Sequence, residues 1–302
     1  TTPVATMADT SAAPHAATAP YIDIKIPARN RPYYNMSKIF CIGECALAFD
    51  LDGSAANIGL FGRIAQAAAI LGRQGVPVSI LSEAAADPVG QAAVDTLTEA
   101  GVNTAGIDRF TDGTTPVIIR MGTRPIRYEN YGDECFDIVW PNITRGDIVV
   151  FGEFYALDGR MRARMVPLLD SAAERGAVMI YLPGFMPSQT PRITRVMPAI
   201  LDNLERAHIV ITDTEALTTI FDNPDGQACY EQHIRYSAPV MVHVDGATAT
   251  IFGPGIHASA DNTADISAIT AHVAQTIAAR HIAADSIIGM SREDALSLVN
   301  PR

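Results

Sequence analysis

The sequence predicts a three-layer α/β/α sandwich with a mainly parallel sheet and a hairpin outside it, on three observations. From residue 38 onward, short and near-continuous apolar runs alternate with helical patterns, as expected of strands buried on both faces. Glycines punctuate the junctions, as at Gly75, Gly101 and Gly176. One pair of runs, 116–121 and 125–131, breaks the alternation and reads as a hairpin outside the main sheet.

Taken in order, KIFCIG (38–43) is a buried strand and GRIAQAAAILGRQG (62–75) is an Ala-rich helix that stops at Gly75. PVSILS (77–82) is the next strand. Asp87-Pro88 then opens a helix to Gly101, with proline in a first turn whose N–H groups lack intrahelical partners. PVIIRM (116–121) and PIRYENY (125–131) form the hairpin, and DIVVFG (147–152) is a strand before a long helix ending near Gly176. AVMIYL (177–182), AHIVI (207–211) and PVMVHV (239–244) are further strands with helices between them. TATIF (248–252) is a short antiparallel strand, and helices at 266–281 and about 291–299 follow. Ligands of open α/β sheets bind beyond the carboxyl ends of the strands. The candidate loops are therefore 43–61, 83–88, 152–158, 183–190, 212–215 and 260–267.

Charge narrows the partners. The chain carries 22 basic against 33 acidic side chains, a net of −11, with no Lys/Arg run. Such a field repels phosphate backbones, so nucleic acid is not an expected partner. No apolar stretch is long enough to span a bilayer, so no membrane partner is expected either. Cys41, Cys45, Cys135 and Cys229 form neither a disulfide framework nor a zinc-site spacing. They read as buried thiols of a reducing compartment, which makes a cytoplasmic location the expectation.

Residues 1–36 read as an extension. TTPVATMADTSAAPHAATAP is nearly all Ala, Thr and Pro and is expected to be partly disordered. It has neither a secretory-signal nor a transit-peptide pattern. Ile22, Ile24 and Ile26 then alternate with Tyr21, Asp23 and Lys25, which suggests one edge strand. The domain proper is expected over 37–302.

The run SILSEAAADPVGQAAVDTLTEAGVNTAGIDRFTDGTTPVII resembles the PfkB/ribokinase family of carbohydrate kinases. The matching positions are Asp87 and Gly90, then Gly101-Val102-Asn103, then Thr115. KIFCIGE, ITRGDIVVFGEFYAL and ITDTEALTTIF are similar to the family as well. The resemblance covers about residues 37–300. It implies a ribokinase-like sandwich with lid strands near 46–58 and 113–131, ATP and Mg2+ as cofactors, and transfer of a phosphoryl group to a sugar-like alcohol. It also implies a homodimer through the lid strands, where Pro116, Val117, Ile118, Ile119 and Met121 form an apolar strand.

Several positions depart from the family pattern. The family's sugar-binding Asp falls on Ala48, with Asp50 two residues on. Its Gly-Gly-x-x-x-Asn appears as Phe61-Gly62-Arg63-Ile64-Ala65-Gln66, so Gly62 and Gln66 are the remaining candidates for binding substrate. Asp-Pro-Asn becomes Leu182-Pro183-Gly184, and Asn-x-x-Glu becomes Thr212-Asp213-Thr214-Glu215, leaving Glu215 as the candidate metal residue. The family's Asp-Thr-Thr-Gly-Ala-Gly-Asp appears as Asp261-Asn262-Thr263-Ala264-Asp265-Ile266-Ser267. Ala264, Asp265 and Ile266 are then the remnant of the anion hole, and Ser267 stands at the position of the catalytic base. Glycines there let consecutive N–H groups turn toward phosphoryl oxygens, a shape that Ala and a β-branched residue resist. Asp265 adds a like charge, a repulsion of about 4 kcal/mol at ~4 Å in an effective dielectric near ~20. A serine hydroxyl is no general base near neutral pH without another base beside it.

Three readings follow. Loss at the sugar, anion and base positions together points to a kinase-derived domain that is catalytically impaired, a pseudokinase with a ligand-binding, regulatory or assembly role. The alternative is an active but divergent sugar or nucleoside kinase. A third is different chemistry by the rim acids Asp50, Asp87, Glu153, Asp213, Glu215 and Asp265. Thr263, Asp265 and Ser267 read as capping residues of the following helix.

Overall fold

The computed structural model describes residues 37–52, 55–121, 124–131, 136–190, 192–261 and 264–300. The extension with its expected edge strand, Cys135, Asn262 and Thr263 lie outside the described residues.

The chain runs β1 (Ile39–Ile42), β2 (Ala46–Asp52), β3 (Ala55–Phe61), α1 (Arg63–Arg73), β4 (Val78–Ala85), α2 (Pro88–Glu99), β5 (Asn103–Phe110), β6 (Thr114–Met121) and β7 (Arg124–Asn130). It continues through β8 (Ile148–Gly152), α3 (Gly159–Glu174), β9 (Val178–Leu182), α4 (Met197–Arg206), β10 (Ile209–Asp213), α5 (Thr214–Phe221) and α6 (Gly226–Cys229). The last elements are β11 (Val240–Asp245), β12 (Thr248–Gly253), β13 (Ile256–Asp261), α7 (Ile266–Arg280) and α8 (Arg292–Val299).

Nine strands form one sheet in the order β13-β12-β11-β10-β9-β8-β1-β4-β5. It is parallel from β11 to β5, and β12 and β13 are antiparallel additions at one edge. The apolar runs follow from burial on both faces. Within β1, Ile39 and Cys41 enter the core under α1, α2, α7 and α8, while Phe40 and Ile42 enter the core under α3, α4 and α5. A two-residue side-chain period therefore splits one strand between two cores.

The sequence reading has no strand at 103–110. NTAGIDRF forms β5, an edge strand that buries Ile107 and Phe110 and leaves its first residues largely open. An edge in water and partly open residues on both faces remove the apolar continuity that marks the inner strands. β4 also runs past residue 82, so Glu83 is a strand residue rather than part of a loop.

The lid is a separate four-stranded sheet, β3-β2-β6-β7. The 114–121 and 124–130 strands pair as the expected hairpin, and β6 joins β2 in parallel. On the cleft face Ala46, Ala48 and Ile118 pack with Phe61 and Met186. On the opposite face Ile58, Phe49, Ile119 and Ile126 stand in register across all four strands. Ile58, Met121, Ile126 and Tyr128 are 62%, 65%, 48% and 58% exposed there.

Candidate functional site

A cleft of about 950 Å3 opens beneath the lid, where loops leave the carboxyl ends of the parallel strands. The starts of α1, α5 and α7 all open on it. Its lining carries the carboxylates of Glu44, Glu153, Asp213, Glu215 and Asp265 against the guanidinium groups of Arg63 and Arg120.

At each of the three helix starts a carboxylate of the chain itself accepts from one or two of the first-turn N–H groups. On α1, the N–H groups of Arg63 and Ile64 donate to Glu153 Oε1 and Oε2 at 3.1 and 3.4 Å. On α5, Ala216 N–H donates to Asp213 Oδ1 at 2.8 Å. On α7, Ala268 N–H donates to Asp265 Oδ1 at 2.8 Å. Helix N-termini attract anions through free N–H groups and the macrodipole, and here internal anions hold that place.

Glu153 is the most constrained of the three. It follows Gly152 in a left-handed conformation, φ 53° and ψ −165°, that non-glycine residues adopt at a cost of about 1–3 kcal/mol. Burial pushes its carboxyl up from the ordinary range, opposed by the charge of Arg63 and the α1 amides. Gly62, the α1 cap at φ 97°, makes that approach possible. A Cβ there would sit 3.1 Å from Glu44 O and 3.4 Å from Glu153 Oε2.

Ser267 is 2% exposed and its hydroxyl donates to Gln66 Oε1 at 3.0 Å. The Gln66 amide donates in turn to Leu60 O at 2.8 Å. The side chain expected at the base position and a candidate substrate residue are therefore brought together, and each is the other's partner. Ser267 is not a helix cap, because Asp265 fills that role. Ile266 is buried beneath the helix start and Ala264 is half-buried before it.

The other sequence candidates divide by place. Asp50 lies on the lid, paired with Arg120, whose hydrogen bonds hold its carboxyl below the usual range. Glu215 lies in the first turn of α5, largely exposed, 4.0 Å from Arg63 Nη2. Asp87 caps α2 through Gly90 N–H at 2.6 Å and also accepts from Thr115 N–H and Oγ1 at 2.8 and 2.9 Å. The Asp87, Gly90 and Thr115 of the motif thus form a joint between α2 and lid strand β6. Burial raises the Asp87 carboxyl, and these hydrogen bonds outweigh it to leave the pKa lowered.

Structure adds residues that pattern reading did not single out. Arg127 of the lid and Glu44 after β1 make a nearly buried ion pair, with Nη1 to Oε2 at 2.9 Å, and Tyr131 Oη also donates to Glu44. Glu83 is 1% exposed and meets Arg160 at 2.8 Å, while its Oε2 has no hydrogen-bond partner among the described residues. Burial pushes the Glu83 carboxyl up to about 7 against the pull of Arg160. Arg63 is the residue that sequence could have flagged, since a cation in the first turn of a helix opposes the dipole.

No protein-family model matches the chain, and no curated protein sequence does. Solved structures do. Fructokinase with bound ATP from Xylella fastidiosa superposes with a TM-score of 0.71 at 18% identity, over 86% of this chain and 88% of that one. Aminoimidazole riboside kinase from Salmonella enterica, complexed with aminoimidazole riboside and an ATP analogue, gives 0.73 at 13% identity, over 87% and 91%. Fructokinase from Vibrio cholerae O395, in its fructose, ADP and calcium ion bound form, gives 0.73 at 14%, over 87% and 90%. The nine-stranded sheet with its lid is therefore the fold of the PfkB/ribokinase-like carbohydrate kinases.

Proposed function

We propose that this chain is a PfkB-type kinase domain that has lost phosphoryl transfer and keeps its cleft as a ligand-binding, regulatory or assembly element. One observation carries the reading: all three helix starts that face the cleft are capped by carboxylates of the chain. Phosphoryl transfer relies on positioning and on positive charge or N–H groups around the transferring group. A triphosphate entering here would have to displace Glu153, Asp213 or Asp265 from the amides it needs. Ser267 adds to this. Its hydroxyl lies against the Gln66 carboxamide, which is no base, and a substrate alcohol gains no proton acceptor from it.

The test is a phosphorylation assay over a sugar and nucleoside panel with ATP-Mg2+, run beside thermal melting. We expect no turnover and no rise in melting temperature at millimolar nucleotide, since any ligand of the native state must stabilise it. Turnover that Ser267→Ala abolishes would establish the alternative, an active and divergent sugar or nucleoside kinase.

The assembly we propose is a homodimer through the lids. Its support is the in-register row Ile58-Phe49-Ile119-Ile126, with Met121 and Tyr128 exposed beside it. A second copy laid on that face removes four large apolar side chains from water, at roughly 25 cal/mol per Å2 of apolar surface. Light scattering at micromolar concentration is expected to give twice the chain mass, and Ile126→Lys is expected to return it to the monomer. A monomeric wild-type protein defeats the proposal.

A further inference from the structure

We infer that Arg63 is an internal cation standing where the family resemblance implies Mg2+, so that the Asp213 and Glu215 acids serve the guanidinium and not a metal. The inference rests on reading the cleft as a kinase-derived site. It does not depend on whether transfer survives.

The geometry is specific. Arg63 begins α1, and its own N–H is fixed on Glu153 Oε1 at 3.1 Å. From there its side chain reaches across the cleft, so that Nη2 stands 2.8 Å from Asp213 Oδ2 and 4.0 Å from Glu215 Oε2. The far side of the guanidinium passes the loop after β9. A Cβ on Gly184 would lie 3.3 Å from Arg63 Nη1, so the glycine in the Leu182-Pro183-Gly184 run leaves room for it. The second oxygen of Asp213 is already occupied by Ala216 N–H at 2.8 Å.

While Arg63 holds Asp213, the donor set does not fit Mg2+. That ion needs near-octahedral oxygen coordination at about 2.0–2.1 Å and keeps several waters. Asp213 has both oxygens engaged, and Thr212, which replaces the family's Asn, is buried with its hydroxyl turned to Asp213 O at 3.4 Å. A guanidinium stays protonated at all physiological pH and forms a planar fork suited to carboxylates. It is therefore a permanent occupant, and a metal could enter only by breaking the Arg63–Asp213 pair.

The experiment uses the full chain and Mn2+ as the metal probe, with free Mn2+ followed by electron paramagnetic resonance. Wild-type protein is expected to show no saturable site up to millimolar Mn2+, and no melting shift in MgCl2 relative to choline chloride at equal ionic strength. Arg63→Met is expected to vacate the acid pair and bind Mn2+ at least about tenfold more tightly than wild type, about 1.4 kcal/mol. Adding Asp213→Asn should remove that site, and Arg63→Lys, which keeps a cation, should not create it. Wild-type binding that Arg63→Met leaves unchanged would overturn the inference, as would a folded Arg63→Met that gains no site. Should Arg63→Met not fold, Mn2+ binding or Mg2+-specific stabilisation of wild type overturns the inference, and the absence of both supports it. Phosphoryl transfer in the substrate panel would overturn the proposed function and leave this result standing. Mn2+ binding by wild type would do the reverse.

Discussion

Gly152→Ala is expected to destabilise the protein by about 2–6 kcal/mol, the sum of about 1–3 for overpacking and about 1–3 for backbone strain. Gly152 ends the central strand β8 at φ 154° and pairs with Leu182 of β9. A Cβ there would lie 2.1 Å from Leu182 O and 2.7 Å from Leu182 C. Those are backbone atoms of a strand buried on both faces, so they cannot swing aside as a surface side chain can. Leu182 O also accepts the Glu153 N–H at 2.7 Å, which sets the turn that aims Glu153 at the start of α1. Displacing Leu182 therefore disturbs the sheet and the cleft together. Urea unfolding should show the loss, with a fall in melting temperature of at least about 5 °C for a domain of this size. A variant that melts within about 2 °C of wild type would show that this turn tolerates a side chain.

Arg127→Met is the second large effect, at about 3–5 kcal/mol, because it leaves a buried carboxylate without its charge partner. Glu44 is 8% exposed, and the Arg127 side chain is 5% exposed. Burial alone would favour neutral Arg127, but hydrogen bonding to Glu44 and its charge outweigh that and raise its pKa. The pair anchors lid strand β7 to the loop after β1, so its loss should also free the lid. Faster proteolysis within 114–130 is the expected sign. The double variant Glu44→Gln, Arg127→Met should recover more than half of the lost stability, since no buried charge is left unpaired. A single-variant cost under about 1 kcal/mol would mean that the pair is solvated in solution and does not hold the lid.

The layers of the fold were legible because burial writes itself into composition. β1, β8, β9, β10 and β11 lie inside the sheet and bury both faces, so IFCI, IVVFG, VMIYL, IVITD and VMVHVD stand out as apolar runs. β5 escaped because an edge strand need not be buried throughout, and NTAGIDRF buries only Ile107 and Phe110, three residues apart and on opposite faces, among polar residues. The motif around Asp87, Gly90 and Thr115 was legible as a pattern, yet its physical meaning, a joint to the lid, required β6 to be seen beside α2.

For the site, sequence by itself determined which side chains stand at the positions matched to the family. Ala48 can accept no hydrogen bond through its side chain, Ile266 resists the backbone shape of an anion hole, and Ser267 cannot serve as a base. Which partners those side chains and their neighbours meet was decided only by tertiary structure. Glu153 reaches α1 across 90 residues, Ser267 meets Gln66 across 201, and Arg63 meets Asp213 from a different strand–helix unit. The reason is that a residue's identity is a property of one position, whereas its partner is a contact. Contacts between loops at the end of a parallel sheet are set by the order in which its strands assemble, and that order leaves no local signature in the chain.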